Sequence, residues 1–373
     1  MARCLFVTPL RGMQRWDVTG RSQGVIAEPR HPHTGIHLAL YLEERGHQVR
    51  FINETETFAQ IAQRGRSRGN FSELLVVVKE TQRFDAIVSY STTGAVLVNF
   101  LSSLPGKRPR LIFVLLTYPN PSGWRRTLRW FLTKNAVRHA DAVIVGLHEL
   151  VDAFMVSGWK CFYAPTTVDT RFFDRRLAGL PEDIGLLKLQ DNPFVLIVGD
   201  SSRDDEFLYA GLRDLSAPIV RVTRDPQVVS KVQQLILRYG RHNDLLLCST
   251  SFHDLRWLYS HCRVCVIAAK DEYQGAGLTS LAEALACGTP VLCSDGGCIE
   301  RELKFWADES GLKIPVHFYR RGDQFALSTA VNDMLSFSEI YRSELKEAGR
   351  LVAERVIPIE RSYEEFAQAV LRP

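Results

Sequence analysis

The residues best placed to do chemistry form one dense run, Gly275-Ala-Gly-Leu-Thr-Ser-Leu-Ala-Glu283, continuing Ala-Leu-Ala-Cys-Gly-Thr-Pro290-Val-Leu. Gly275 and Gly277 let the backbone come close to a ligand. Thr279 and Ser280 are natural helix N-caps. The N–H groups at a helix start, with the helix dipole behind them, favour an anion such as a diphosphate. Glu283, one turn in, offers two acceptor oxygens to ribose hydroxyls. Gly288 and Pro290 then stop the helix and feed the next strand. A generic strand-to-helix turn would use the same letters, with Glu283 a plain first-turn charge, and the pattern alone leaves both readings open. It is not a nicotinamide fingerprint, because it lies late in the chain and ends in Ser rather than Gly or Ala.

Other reactive residues are less well placed. Cys262 and Cys265 form a CxxC, but no second CxxC or His pair stands at zinc spacing. They sit in the apolar run Cys-Arg-Val-Cys-Val-Ile-Ala-Ala, where side chains three apart on a strand point to opposite faces. Buried thiols are the expectation, and no metal site is assigned. His33 and His37 are candidate general bases, with a structural role as the competing reading.

These groups need elements to carry them. The chain has 373 residues, 46% hydrophobic and 24% charged, which excludes disordered, collagen-like and fibrous classes. Short apolar runs alternate with helical patterns: Cys4–Thr8, Val49–Ile52, Ala86–Tyr90, Leu111–Thr117, Ala142–Val145 and Cys161–Ala164, then Phe194–Val198, Ile219–Val222, Leu245–Cys248, Val264–Ala268 and Val291–Cys293. Without period-2 alternation they read as strands buried on both faces of a parallel sheet. The series runs twice, so the expectation is α/β, two doubly wound domains that face a central cleft, with ligands beyond the carboxyl ends of the strands. The boundaries expected are 1–175, 176–350 and a final helical segment, 351–373, that returns to the first domain.

Charge is unevenly spread. The net +4 is +9 over residues 1–190 against −5 over 191–373. Residues 86–140 hold eight bases and no acid. This points to an anionic partner for the first half. Nucleic acid is disfavoured, since the bias is confined to one half and no reading module appears. Trp124–His139 reads as a helix with Trp124, Leu128, Phe131, Leu132 and Ala136 on one core stripe and Trp130 off it. Residues 122–139 are therefore a candidate peripheral contact with anionic lipid. No apolar stretch approaches the ~18–20 residues of a membrane span, and the N-terminus lacks a signal peptide's apolar core, so the expected location is cytoplasmic or peripheral on the inner membrane face. The long Arg- and Gly-rich segment Leu10–Pro32 is expected to supply acceptor contacts from Arg11, Arg15 and Trp16.

The string Gly-Leu-Thr-Ser-x-x-Glu-Ala-Leu-Ala-x-Gly-Thr-Pro-Val resembles the donor-site signature of the retaining GT-B glycosyltransferases of family 4. Leu38-Ala-Leu-Tyr-Leu-Glu-Glu-Arg-Gly-His47-Gln-Val is similar to that family's first helix and its turn into the second strand. His139-Ala-Asp-Ala-Val-Ile-Val145, Tyr163-Ala-Pro-Thr-Thr-Val-Asp169 and Val198-Gly-Asp-Ser-Ser-Arg-Asp-Asp205 follow in the same order. The resemblance implies transfer of a sugar from a nucleoside diphosphate sugar, UDP-sugar being the commonest, with retention and without a metal or other cofactor. The acceptor implied is a glycan, a lipid-linked molecule or a small molecule. Glu283 would hold ribose, and the N–H groups around Gly277, Leu278, Thr279 and Ser280 would hold sugar and phosphate. Gly199 would lie in the diphosphate loop, and Gly35 would approach from the first domain. Arg203 would stabilise the departing diphosphate. Where the family often has a second glutamate, eight residues before Glu283, stands Gly275, so Glu272 or Asp271 is the candidate for the sugar hydroxyls. Tyr118 is nearest to the family's His after the fourth strand, and His33 stands near the acceptor. No Lys follows Arg203. The competing readings are a GT-B epimerase or phosphorylase-like enzyme, and a nucleotide-sugar-binding subunit without transfer.

Overall fold

The computed structural model describes residues 2–8, 36–53, 83–103, 108–115, 124–154, 160–200, 203–248, 250–270 and 275–372. Two compact units are present. The first runs to Pro165 and takes the chain back at Glu360, and the second holds Thr166–Ile359.

In the first unit the strands are β1 (Arg3–Thr8), β2 (Gln48–Asn53), β3 (Ala86–Tyr90), β4 (Arg110–Leu115), β5 (Ala142–Val145) and β6 (Cys161–Tyr163). They form a parallel sheet in the order β2-β1-β3-β4-β5-β6. Registers such as Phe6 opposite Phe51 and Val88 opposite Ile112 put apolar residues side by side. Burial on both faces is what the runs without alternation predict. The helices are α1 (Ile36–Glu44), α2 (Ser91–Ser102), α3 (Trp124–His139), the short α4 (Glu149–Ala153) and, from the chain's end, α12 (Ile359–Leu371). Tyr363, Phe366 and Val370 of α12 are buried, and the Tyr363 ring packs at a tilt against Tyr41 of α1, centroids 5.1 Å apart. Lys160 closes the end of α3, its Nζ donating to the carbonyls of Val137 (2.9 Å) and Arg138 (3.1 Å), where a cation complements the helix dipole.

The face of α3 is a correction. Leu128 and Phe131, expected in the core, are 48% and 64% exposed. Thr133, Ala136 and Val137 face inward, and Trp130 packs at 4.3 Å on Phe154. The helix carries apolar residues on two faces, and the buried one follows 130, 133, 136 and 137 rather than 128 and 131.

The second unit has β7 (Val195–Val198), β8 (Ile219–Val222), β9 (Leu245–Leu247), β10 (Val264–Ile267), β11 (Val291–Ser294) and β12 (Val316–Tyr319) in the order β12-β11-β10-β7-β8-β9. All its pairings are parallel, and the order reverses between β7 and β10. Its helices are α5 (Asp205–Gly211), α6 (Pro226–Arg238), α7 (Phe252–His261), α8 (Leu278–Ala286), α9 (Cys298–Ser310), α10 (Gln324–Ser336) and α11 (Glu339–Arg355). Start signals are written locally. Asp225, Asp323 and Ser338 each accept a backbone N–H as N-cap, and Pro226 opens α6. α6 buries Val228, Val232 and Leu235 at helical spacing. Glycines bring α8 and α11 into backbone contact: a Cβ at Gly288 would lie 2.9 Å from Lys346 O, and one at Gly349 3.3 Å from Leu285 O.

No helix among the described residues is long and apolar enough to cross a membrane.

Candidate functional site

The reversal of strand order between β7 and β10 makes a crevice beyond their carboxyl ends, the place where ligands enter open α/β sheets. The loop after β7 and the turn into α8 meet there, bringing together Gly199, Arg203, Gly277, Ser280 and Glu283. Arg11, Arg15, Trp16, His33, Gly35, Tyr118, Asp271 and Glu272 lie outside the described residues.

The turn into α8 is built around Gly277. Its φ of +114° is a conformation that side chains strongly disfavour, and a Cβ there would lie 2.5 Å from Ile267 Cγ2. Gly277 itself is the N-cap, so Thr279 and Ser280 stand inside the first turn rather than capping it. This corrects the sequence-based cap: the left-handed glycine lets the helix begin two residues early. The Leu278 N–H donates to Gly275 O at 3.2 Å. Those of Thr279 and Ser280 make no hydrogen bond among the described residues, leaving two donors at the helix start. Gly277→Ala is expected to destabilise the chain by about 1–3 kcal/mol, from backbone strain and the Ile267 clash. A melting temperature equal to the parent's would show that the turn tolerates a Cβ.

Arg203 lies across this turn from the β7 loop. Its backbone bridges Ala269 after β10, and the Asp204 N–H donates to Ala268 O at 3.0 Å, so the loop is pinned over the crevice. The guanidinium is 3% exposed. It donates to Val198 O (3.0 Å) and Ser280 Oγ (3.3 Å) and has no carboxylate partner among the described residues. Burial, and after it the like charge of Arg221, lower its pKa from the usual arginine range. A buried cation without a counter-ion is costly and calls for an anion.

Arg221 is a site residue that sequence reasoning missed. It is fully buried in β8, and its Nη1 donates to Gly199 O and Val222 O, both at 2.6 Å. Its Nε donates to Asp205 at 2.7 Å. Its charge is thus spent on Asp205, and its geometric effect is to fix the Gly199 peptide, whose φ is +130°. A Cβ on Gly199 would lie 2.7 Å from Arg203 Nη2, so the loop glycine makes room for the guanidinium. Asp200 ties the same loop to the next, accepting from Thr223 Oγ1 (3.0 Å) and Arg224 N (2.9 Å). The only sequence signal was a lone arginine in a four-residue apolar strand.

Glu283 is 5% exposed on the second turn of α8. Tyr259 Oη of α7 donates to its Oε2 at 2.9 Å. Burial raises the carboxyl pKa to about 7, against smaller lowering effects from Tyr259 and Arg224. Tyr259 was also missed, for it sits in an ordinary amphipathic helix.

Cys262 and Cys265 are buried, with Cys262 just beyond α7 rather than on a strand. Burial pushes the Cys265 thiol up to about 12, which leaves it unreactive. Among the described residues, no group of three or more His, Cys, Asp or Glu side chains is placed to hold a metal ion.

No protein-family model matches the sequence, and no curated protein matches it. Solved structures do match. HepE of Anabaena, in complex with UDP-glucose, superposes with a TM-score of 0.71 at 16% identity over 99% of each chain. A glycosyltransferase from Rickettsia africae gives 0.70 at 14% identity, over 100% of this chain and 99% of that one. WaaG, a glycosyltransferase involved in lipopolysaccharide biosynthesis, gives 0.62 at 14%, over 99% and 100%. Two parallel six-stranded α/β units, matched over their whole length by such structures, make this the GT-B fold.

Proposed function

We propose that the chain is a glycosyltransferase that moves a sugar from a nucleoside diphosphate sugar, UDP-sugar foremost, to an acceptor hydroxyl with retention at the anomeric carbon. The observation that carries this is Arg203, a buried guanidinium without a carboxylate partner among the described residues, set against the free N–H groups of a glycine turn. Negative charge grows on the diphosphate as its bond to the sugar breaks, and a fixed cation acts most strongly there. Arg203 takes that role without a metal, and the sugar passes through an oxocarbenium-like state. Gly199, Gly277, Thr279 and Ser280 line the diphosphate, and Glu283 holds the ribose hydroxyls. HepE, solved with UDP-glucose, has the same fold and supports the choice of donor. Glu272 and Tyr118 are assigned to the sugar, Gly35 to the donor, and Arg11, Arg15, Trp16 and His33 to the acceptor.

A panel of nucleoside diphosphate sugars, with and without EDTA, tests the reading. Stabilisation by UDP-sugars that survives EDTA, with slow release of UDP, is the expected result. Stabilisation that needs a divalent metal would overturn the metal-free mechanism. Nucleotide-dependent stabilisation without turnover under any acceptor would favour a binding subunit.

The acceptor is proposed to be lipid-linked or otherwise anionic. Exposed Leu128 and Phe131 stand on α3 beside exposed Lys134 and Arg138, the makings of a peripheral contact with an acidic bilayer. Phe131→Asp is expected to weaken sedimentation with phosphatidylglycerol vesicles by about tenfold, roughly the loss of one buried aromatic. Sedimentation unchanged by this substitution would remove α3 from the contact.

A further inference from the structure

Away from the crevice, a cavity of about 320 Å³ opens against α11 and the far end of α8. Its floor is Ala286, Cys287 and Gly288, and one wall is the face of α11 that carries Lys346, Arg350 and Glu354. The facing wall is the one-turn helix Arg175–Leu177 with its N-cap Asp174. The volume lies near the lower limit of small-ligand pockets, about 300–1,000 Å³.

The wall is held in place. Arg350 Nη1 donates to Phe173 O (2.9 Å) and Ala286 O (3.0 Å), its Nη2 to Asp174 (3.4 Å), and its Nε to Glu354 (2.6 Å). Arg176 takes the rest of Asp174 at 2.5 Å. These contacts use up two of the three lining carboxylates and leave only Glu347, which is exposed. Two lining cations remain, Arg175 and Lys346, whose side chains make no hydrogen bond or ion pair among the described residues. Both line the same cavity, and burial, followed by the like charge of Arg175, disfavours the charge on Lys346 against a smaller opposing effect of Glu339. Like charges brought to one concavity are relieved by an anion that bridges them. A helix C-terminus would by itself repel an anion, but Arg350 covers the last carbonyl of α8.

We infer that this cavity binds a small phosphorylated molecule, its phosphate held between Arg175 and Lys346, as a second anion site separate from the glycine turn. The pocket is sized for a phosphomonoester of a small metabolite, and its ligand is independent of the reaction proposed above.

Inorganic phosphate is the probe, titrated calorimetrically into the full chain with ionic strength held by sodium chloride. Saturable binding is expected. Arg175→Gln and Lys346→Gln should each weaken it by about 10-fold or more, the usual worth of a charged hydrogen bond, whereas Lys346→Arg and Arg203→Gln should retain it. Arg175 is exposed, so its substitution carries the test even where a change at half-buried Lys346 harms folding. Absence of saturable binding overturns the inference. So does binding that is lost with Arg203→Gln and kept with Arg175→Gln, which would put the phosphate in the glycine turn.

Discussion

Replacing Arg203 by Met is expected to cut sugar transfer by about 10²–10³-fold, the usual loss when a fixed donor to developing charge is removed. The same change should leave the unliganded protein at least as resistant to heat as the parent. The two expectations share one cause. The guanidinium is buried at 3% exposure, beside the like charge of Arg221, with no carboxylate at hand among the described residues. Burying a charge in that state costs several kcal/mol. The hydrogen bonds to Val198 O and Ser280 Oγ return about 1–3 kcal/mol each. A methionine fills much of the same volume and carries no charge to desolvate. The residue is therefore held at a cost that these bonds offset only in part, and on the function proposed above the anion that offsets the rest is the departing diphosphate. Steady-state transfer and thermal unfolding, measured on the same preparation, check both halves. Parental turnover would remove Arg203 from the leaving-group role. A large fall in melting temperature would make it a structural tie between β7 and α8.

The two-sheet fold and the glycine turn were legible in the sequence, and the limits follow from particular residues. Eleven apolar runs correspond to strands, because runs this short and apolar suit buried parallel strands even where one polar residue interrupts them, as Arg221 does in β8. The twelfth strand, Val316-His-Phe-Tyr319, escaped because it is an edge strand with His317 and Phe318 partly exposed, so its pattern is mixed. The glycine turn was visible as a motif, but the start of its helix was not. Residue types favour Thr279 or Ser280 as the cap, whereas backbone freedom at Gly277 decides it. On α3 the residue pattern gave the helix and placed Ala136 in the core, but misplaced Leu128 and Phe131, since apolar residues occur on both sides. Arg221 and Tyr259 act through partners distant in the chain, Asp205 and Glu283, and no local spacing announces such pairs.

The affinity for UDP is expected to fall by about tenfold between pH 8 and pH 6 because Glu283 titrates near 7. As an acceptor for two ribose hydroxyls the carboxylate must be ionised. At pH 8 roughly nine-tenths of it is, and at pH 6 roughly one-tenth, as a pKa near 7 dictates. Glu283→Gln should weaken binding by about 10–100-fold at pH 8 and remove this part of the pH dependence, since an amide neither titrates nor accepts with a full charge. The diphosphate of UDP has its own protonation, so the difference between parent and variant, measured by calorimetry, isolates the carboxylate. Tyr259→Phe provides a second control. Its hydroxyl donates to the ionised carboxylate at 2.9 Å, so its loss should move the midpoint upward. The same group leaves a mark on the unliganded fold, with the opposite sense. Its pKa is raised from an ordinary 4.5 to about 7, so between these values the unfolded chain has released a proton that the folded chain retains. Stability therefore declines as pH rises through that window, by about 3 kcal/mol in total, and Glu283→Gln abolishes the decline. Ligand binding that strengthens with pH, on a fold that weakens with pH, is a pairing expected of a carboxylate buried for a ligand. A surface carboxylate at the start of a helix would show neither trend, and an equal pH dependence in parent and Gln variant would return Glu283 to that plain role.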